Sequence, residues 1–545
     1  MLQGAIDRLG GNLRFAVGLR GFLRAETGVQ QARARIASQL ASREDSFLDL
    51  AEKAIYQNPR SPYRRLLAHA GVELADLAAM VRGRGLEAAL EELYGRGVYI
   101  TFEELRGRRP VKRGSLEFEV KVSDFDNPLL SAFFQSRSSG SRSAGTRVFI
   151  DLRTLQREAE YVACLFDAHG ILGSRPLAVW QRRPPHSGGL NGLIRFAKIG
   201  WPAERWFAQN PFHLAHGGWR GAAFLAYSVL VSYLAGKPFP WPKTVSGDQA
   251  LRIARWMGEK KREGRPAVLD TGVSGATRVC IAARDNGIDI AGSVFRVGGE
   301  PLTPQRARAM VSVGASFLSR YQMVETGIIS ISCADPVEID DMHVVSERFA
   351  VLTRDKAVGP AGESVPALVY TSLQPDCRMI LLNAESGDYG RLFRRECRCS
   401  LGGLGYSLHV AGVHGYDKLT SEGVTFMGSE LYRLVDEVLP GKFGGDPTDY
   451  QLVEEDEEGI PRVSLVISPR VGGIDEKAAV GVALSELRRH FAGPIMAAEW
   501  ARAGTLRVVR REPYASGGRK VLPLHVIGQA QAAHQAKGGG PAARP

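Results

Sequence analysis

The alternation running from 248 to 321 limits most sharply how this chain can fold. A helix-patterned segment at 249–261 leads into an apolar run at 266–270 and a glycine turn at 271–275. A second helix pattern ends near Asn286, a second apolar run covers 291–297, and a second glycine turn covers 298–301. A helix opening at Thr303-Pro304 and a third run ending at Tyr321 complete the series. Strands separated by helices of this length do not form hairpins; they pair in parallel, with helices covering both faces. Open sheets of that kind hold ligands at the carboxyl ends of their strands. The glycine turns fall at those ends, where a residue without a Cβ lets a ligand come close to the backbone.

Around this doubly wound, mostly parallel α/β unit the patterning changes in both directions. Residues 1–110 read as helical, with apolar side chains three and four apart (Phe47, Leu50, Ala51, Ala54; Leu74, Leu77, Met80, Val81), and serve as structural support for a larger domain. A helix is expected over 151–172 and a short buried strand over 176–180. An Arg/Pro/Gly-rich mobile loop is expected over 181–192. Beyond Glu325 short alternating runs at 342–345, 349–353, 367–371 and 379–382 predict an antiparallel β subdomain. A flexible glycine passage at 402–405 follows. Helices and strands between 428 and 510, including an acidic hairpin at 450–468, predict a small mobile α+β domain. The expected division is therefore a helical region 1–110, a large domain 111–413, a small domain 414–528 and a disordered tail 529–545.

Composition narrows the classes of function. A net charge of +12 permits an anionic ligand, but the basic residues are mostly dispersed arginines, so the expectation is no nucleic acid. Six cysteines in 545 residues do not make a disulfide framework, and no secretory segment opens the chain; a cytoplasmic location is expected. The most apolar run, 221–235, is shorter than the roughly 20 residues needed to cross a bilayer and reads as a buried helix, so no stable membrane insertion is expected.

One loop invites a polyphosphate. Ser138, Ser139, Gly140, Ser141, Arg142, Gly145 and Thr146 precede Arg147 and a β-branched run, so small residues, hydroxyl donors and guanidinium groups stand together. No G-K-[ST] closes the loop, so it is not a P-loop. Taken alone, the string reads equally well as a flexible serine-glycine linker.

Five further segments follow that loop in order: Gly298-Gly299-Glu300-Pro301; Tyr321-Gln322-Met323-Val324-Glu325-Thr326-Gly327; Glu385-Ser386-Gly387-Asp388; His414-Gly415-Tyr416-Asp417-Lys418-Leu419; and Lys520 within Gly517–Pro523. Together the six resemble the motifs of the adenylate-forming ligases, in the phenylacetate–coenzyme A ligase-like branch. The resemblance covers about 99–525. It implies activation of a carboxylic acid (aryl or medium-to-long acyl) as an acyl adenylate, with transfer to coenzyme A as the default second step. Transfer to a protein thiol or an amine, and a nucleotide-binding protein that has lost its chemistry, are the alternatives.

The resemblance also implies roles. Ser138 to Thr146 would hold the β- and γ-phosphates, and Gly299, Glu300 and Pro301 the adenine. Tyr321, Thr326 and His414 would line the nucleotide, and Asp388 would accept both ribose hydroxyls. Glu325 would hold Mg²⁺, Asp417 and Lys418 would form the hinge, and Lys520 would bridge carboxylate and α-phosphate. ATP and Mg²⁺ are the implied cofactors, and a homodimer is compatible with the family. His213, Trp219, Ser274 and Gly275 are the candidates for the acid pocket. The chain departs from the family pattern in three places: the loop lacks its usual lysine, Val324 replaces a threonine, and His414 replaces the hinge arginine. Finally, Cys397 and Cys399, with Cys377 and His409, form a candidate zinc set; reduced thiols without metal are the alternative.

Overall fold

The computed structural model describes residues 2–131, 133–137, 147–184, 186, 188–210, 218–358, 363–416, 419–421, 424–426, 428–457, 460–490, 506–515 and 520–527. The serine-rich run 138–146, His213, Asp417, Lys418 and the tail from 529 lie outside the described residues. Trp219 lies in the helix Gly218–Leu234.

The expected parallel series is present. Strands Val268–Asp270, Val294–Gly298 and Ser316–Met323 pair side by side in parallel. It extends further than the alternation at 248–321 indicates. Leu177–Gln181, Arg205–Ala208 and Lys243–Thr244 continue the parallel block on the other flank. The antiparallel strands after Glu325 do not form a sheet of their own. Gly327–Ser332 folds back on Ser316–Met323, and Met342–Val344, Leu408–Gly415, Ala384–Arg394, Glu363–Ser372 and Phe349–Val358 follow in that spatial order. The result is one sheet of twelve strands, half parallel and half antiparallel. It changes character beside Ser316–Met323: the helical crossover through Pro304–Val311 that precedes this strand gives way after it to a tight turn at 324–326, too short to return a parallel strand.

Two local expectations are corrected. The segment expected as a mobile loop at 181–192 includes the start of a helix, Gly188–Lys198, whose residues from Gly189 onward are buried. Gly189, in its first turn, lets the helix pack against the Trp206 ring, from which a Cβ there would sit 2.5 Å. The apolar run at 221–235 is a helix, but only one face is buried. Leu225, Ser228, Val231 and Ser232 face inward, whereas Tyr227, Leu230, Tyr233 and Leu234 are exposed. Its inward serines satisfy themselves on the preceding turn, Ser228 donating to the Phe224 carbonyl at 2.7 Å. Among the described residues no helix is long and apolar enough to cross a membrane.

The N-terminal helices pack into the main core. Phe15, Leu19 and Leu23 recur every four residues on helix Leu2–Arg24 and are fully buried. The aromatics at 201–207 are core as well: Trp201 meets Phe166 edge-on at 5.0 Å between centroids, and Trp206 is buried. The C-terminal portion forms a separate four-stranded sheet, ordered Arg507–Arg510, Ile460–Ile467, Tyr450–Glu457 and Leu524–Ile527, with its own apolar cluster.

Buried charge gives the large unit a pH dependence. Glu158, on helix Leu152–Ala168, lies fully buried between Arg195 at 2.8 Å and Arg378 at 2.6 Å. Burial alone would raise its pKa, but Arg378, Arg195 and Arg348 outweigh burial and bring it to about 2. The folded value is depressed below the unfolded value of about 4.3, so the stabilisation is whole above that pH and is lost as pH falls toward the folded value. Urea unfolding followed from neutral pH into acid should show wild-type stability declining through that window. Glu158→Gln, less stable at neutral pH, should lose less of its stability over the same range; equal slopes would contradict the assignment.

Candidate nucleotide site

The carboxyl ends of Val294–Gly298 and Ser316–Met323 open onto a cavity of about 160 Å³ beside the change from parallel to antiparallel pairing. Its lining includes Gly299, Pro301, Tyr321, Asp388, His414 and Gly415. These come from four segments far apart in sequence. Asp388 and His414 are brought together because Ala384–Arg394 and Leu408–Gly415 pair antiparallel, with Asp388 opposite Gly415 and Tyr389 opposite His414.

Asp388 is half-buried and oriented by its neighbours. The Tyr321 hydroxyl donates to Asp388 Oδ2 at 2.6 Å and stands 2.8 Å from the Tyr370 hydroxyl; the Asp388 amide donates to Ser386 Oγ at 3.2 Å. Burial, with Asp388 adding to it, pushes the Tyr321 phenol well up, so the ring stays a donor. A Cβ at position 415 would lie 3.6 Å from Asp388 Oδ1, so glycine there keeps that side of the carboxylate approachable. The arrangement presents a fixed anionic acceptor to a vicinal diol. His414 stacks on Tyr389 at 5.7 Å and its Nδ1 is 2.9 Å from the Gly412 carbonyl.

The turn after Val294–Gly298 meets the C-terminal unit. Gly299 has φ +82°, a conformation that costs glycine little, and its carbonyl accepts a hydrogen bond from Lys520 Nζ. The next backbone group is fixed too: the Val521 amide donates to Ser274 Oγ at 3.2 Å. Lys520 is thus held at the rim of the cavity that Asp388 and Tyr321 line.

Several expected side chains are used differently. Glu300 turns its carboxylate away into a buried knot, accepting from the Ser274 hydroxyl and from Arg306 at 3.0 Å. Ser274, expected in the acid pocket, is fully buried in that knot. Gly275 is a packing residue: a Cβ there would meet Thr271 Oγ1 at 2.5 Å and the Trp180 ring at 3.3 Å. Thr326 is buried and donates to the Gly327 carbonyl at 3.2 Å. Glu325 is buried, and Arg106 donates to its Oε1 at 2.7 Å. The candidate phosphate loop joins Phe133–Arg137 to Arg147–Asp151, whose antiparallel ladder closes at Arg137 opposite Arg147.

Sequence reading missed Arg306. It is fully buried, pairs with Asp436 of the C-terminal unit at 2.7 Å, and donates to the Val521 carbonyl at 3.3 Å and to Ser274 Oγ at 3.2 Å. Thr303 donates to the same Asp436 at 3.0 Å. Nothing in the local pattern of a helix N-terminus marks such a residue. Removing one partner of a buried pair leaves the other charged and unpaired, which costs about 3–5 kcal/mol. Arg306→Met should therefore lower the thermal midpoint sharply, with the C-terminal unit becoming protease-sensitive first; an unchanged midpoint would contradict this.

The cysteines are also regrouped. Cys377 is buried elsewhere, its thiol directed at the Arg348 carbonyl at 3.8 Å. His409 bonds through Nδ1 to Asp341 at 2.6 Å. The atoms that converge with Cys397 and Cys399 are those of Cys333 and His343, all within 4.8 Å of one another. Position 377 is separated from the pair by a full strand, Ala384–Arg394, a distance that spacing alone does not reveal.

No protein-family model and no curated protein matches the sequence. Solved structures do match. A crystal structure of 2-hydroxyisobutyryl-CoA ligase in the postadenylation state, in complex with R3-HIB-AMP, superposes with a TM-score of 0.54 at 16% identity, over 94% of this chain and 93% of that one. The same ligase in complex with 2-HIB-AMP gives the same values, a TM-score of 0.54 at 16% identity with 94% and 93% covered. In its large mixed sheet and its small C-terminal sheet, the chain shares the fold of that ligase.

Proposed function

We propose that the protein activates a carboxylic acid with ATP, forming an acyl adenylate and pyrophosphate, and then passes the acyl group to an acceptor, by default the thiol of coenzyme A. The observation that carries this reading is the convergence of Asp388, Tyr321 and the Gly299–Pro301 turn on one cavity, with Lys520 bonded to the Gly299 carbonyl of that turn. In this reading the ribose hydroxyls of ATP donate to Asp388, whose orientation Tyr321 fixes. The adenine lies along the backbone of Gly299, Glu300 and Pro301. The substrate carboxylate attacks the α-phosphorus, a P–O bond to pyrophosphate breaks, and Lys520 neutralises charge gathering on carboxylate and equatorial oxygens. As a lysine on the smaller unit, it moves with that unit, leaving the adenylate open to a second nucleophile. The serine-rich run 138–146 would take the outer phosphates, with Asp417 and Lys418 as the hinge.

The ligase family implies Mg²⁺ at Glu325, but the residues there do not present a ready cation site. Arg106 already neutralises that carboxylate, and no step above is routed through a metal. This salt bridge also favours a second reading, a nucleotide-binding protein without turnover. Pyrophosphate release measured across a panel of aryl and medium-to-long acyl acids decides between them. Release with at least one acid supports the ligase. Thermal stabilisation by ATP without AMP or pyrophosphate supports the second reading. Mass spectrometry after adding coenzyme A, a carrier-protein thiol or an amine then identifies the acceptor.

A further inference from the structure

Four side chains from three chain segments meet in a cluster the ligase reading does not use. Cys333 follows strand Gly327–Ser332; His343 lies in the middle of Met342–Val344; Cys397 and Cys399 lie between Ala384–Arg394 and Leu408–Gly415. Cys333 Sγ is 3.3 Å from Cys397 Sγ, and His343 Nε2 is 3.1 Å from Cys399 Sγ. Three sulfurs and one imidazole nitrogen, mutually within 4.8 Å, have the number and type of ligands a structural tetrahedral zinc site requires.

The surroundings are arranged for thiolates. Each sulfur accepts one backbone amide: Cys333 from Asp335 at 3.3 Å, Cys397 from Cys399 at 3.4 Å, and Cys399 from Gly402 at 3.4 Å. A Cβ at Gly402 would stand 2.3 Å from the Cys397 carbonyl, so glycine permits the tight return that delivers the last of these amides. His343 is oriented from behind. Its Nδ1 is 2.9 Å from the Tyr406 carbonyl, an acceptor only, so Nδ1 carries the proton and Nε2 presents its lone pair to the cluster. Arg395 donates to Cys333 Sγ at 3.2 Å and to Asp341 at 3.0 Å, a cation beside the sulfurs.

From this geometry we infer that Cys333, His343, Cys397 and Cys399 hold one Zn²⁺, and that the metal fixes the strands forming the wall of the nucleotide cavity. The second half follows from topology. Ala384–Arg394 and Leu408–Gly415 carry Asp388 and His414–Gly415 near one end and lead into the cysteine loop at the other. Met342 lines the cavity and precedes His343 directly, and Asp340, also in the lining, accepts from the Gly412 amide at 2.9 Å. A cation joining these segments removes the freedom of the cysteine loop to pull on the pair that positions Asp388. The first half does not depend on the ligase reading; the second rests on the nucleotide site.

The test begins with the purified full chain. Elemental analysis should find one zinc per chain, and titration with a mercurial in the presence of a zinc indicator should release it as the thiols react. Cys399→Ser and His343→Ala should lose that zinc, whereas Cys377→Ala should keep it, separating this ligand set from one containing Cys377. Chelation of the wild-type protein should lower its thermal midpoint and weaken AMP binding, with zinc restoring both. Absence of zinc, a Cys333–Cys397 disulfide by mass spectrometry, or zinc lost with Cys377→Ala overturns the site. Zinc present but AMP binding indifferent to its removal overturns the coupling alone. AMP failing to bind the zinc-loaded protein overturns the nucleotide reading and leaves the metal site standing.

Discussion

Asp388→Ala is expected to abolish nucleotide binding at concentrations that saturate the wild type, with the fold retained. The carboxylate stands where two ribose hydroxyls would donate, and each hydrogen bond to a charged acceptor contributes about 1.5–3 kcal/mol. Losing both weakens AMP or ATP affinity by about a hundredfold or more. The fold survives because Asp388 is half-buried and lies on a strand held on both sides, by Glu363–Ser372 and Leu408–Gly415. Tyr321→Phe is the companion. It removes the hydroxyl that orients Asp388 Oδ2 but leaves the carboxylate in place, so its loss of affinity should be the smaller. Calorimetric titration with AMP ranks the three proteins. Equal affinities for wild type and Asp388→Ala would remove the ribose from this cavity.

Much of this arrangement was legible in the chain before any coordinates, for identifiable reasons. The helix–strand alternation at 248–321 fixes parallel pairing, and the glycine turns mark the strand ends where Gly299 and the Gly298 strand terminus now line the cavity. Asp388 and Tyr321 were legible as motif members; their strands are not neighbours in the sheet, and they meet through their side chains, the Tyr321 hydroxyl donating to Asp388. The departures have a common physical source: side-chain direction depends on partners that local pattern does not contain. Glu300 and Ser274 each stand beside the cavity in sequence, yet both are drawn into the knot around Arg306, because a buried guanidinium must be satisfied. Cys333 and His343 were missed because metal ligands drawn from separate strands have no characteristic spacing. The continuation of the sheet from parallel to antiparallel was missed for a related reason. An edge of one sheet and the start of another carry the same alternating pattern, and only pairing distinguishes them.

Lys520→Ala is expected to separate binding from chemistry. Lys520 Nζ hydrogen-bonds the Gly299 carbonyl at the rim of the cavity, and the residue beside it is anchored through Ser274 and Arg306. The anchoring groups act on the Val521 backbone, so truncating Lys520 leaves the docking of the C-terminal unit intact. Lost is a positive charge able to meet the oxygens on which negative charge develops. Removing one such stabilising group typically slows the chemical step about 10²–10³-fold. AMP affinity and thermal midpoint should therefore stay near wild type while pyrophosphate release collapses, in the pattern of an interaction made in the transition state rather than the ground state. Lys520→Arg sharpens the test, because a planar guanidinium keeps the charge but not the compact donor geometry of an ammonium. Its rate should recover only partly. Should Lys520→Ala instead release pyrophosphate as fast as wild type, the residue is a structural contact of the Gly299 turn. Should it lose AMP binding and stability together, the lysine acts by holding the two units in place, and the charge on the reacting phosphate must come from elsewhere.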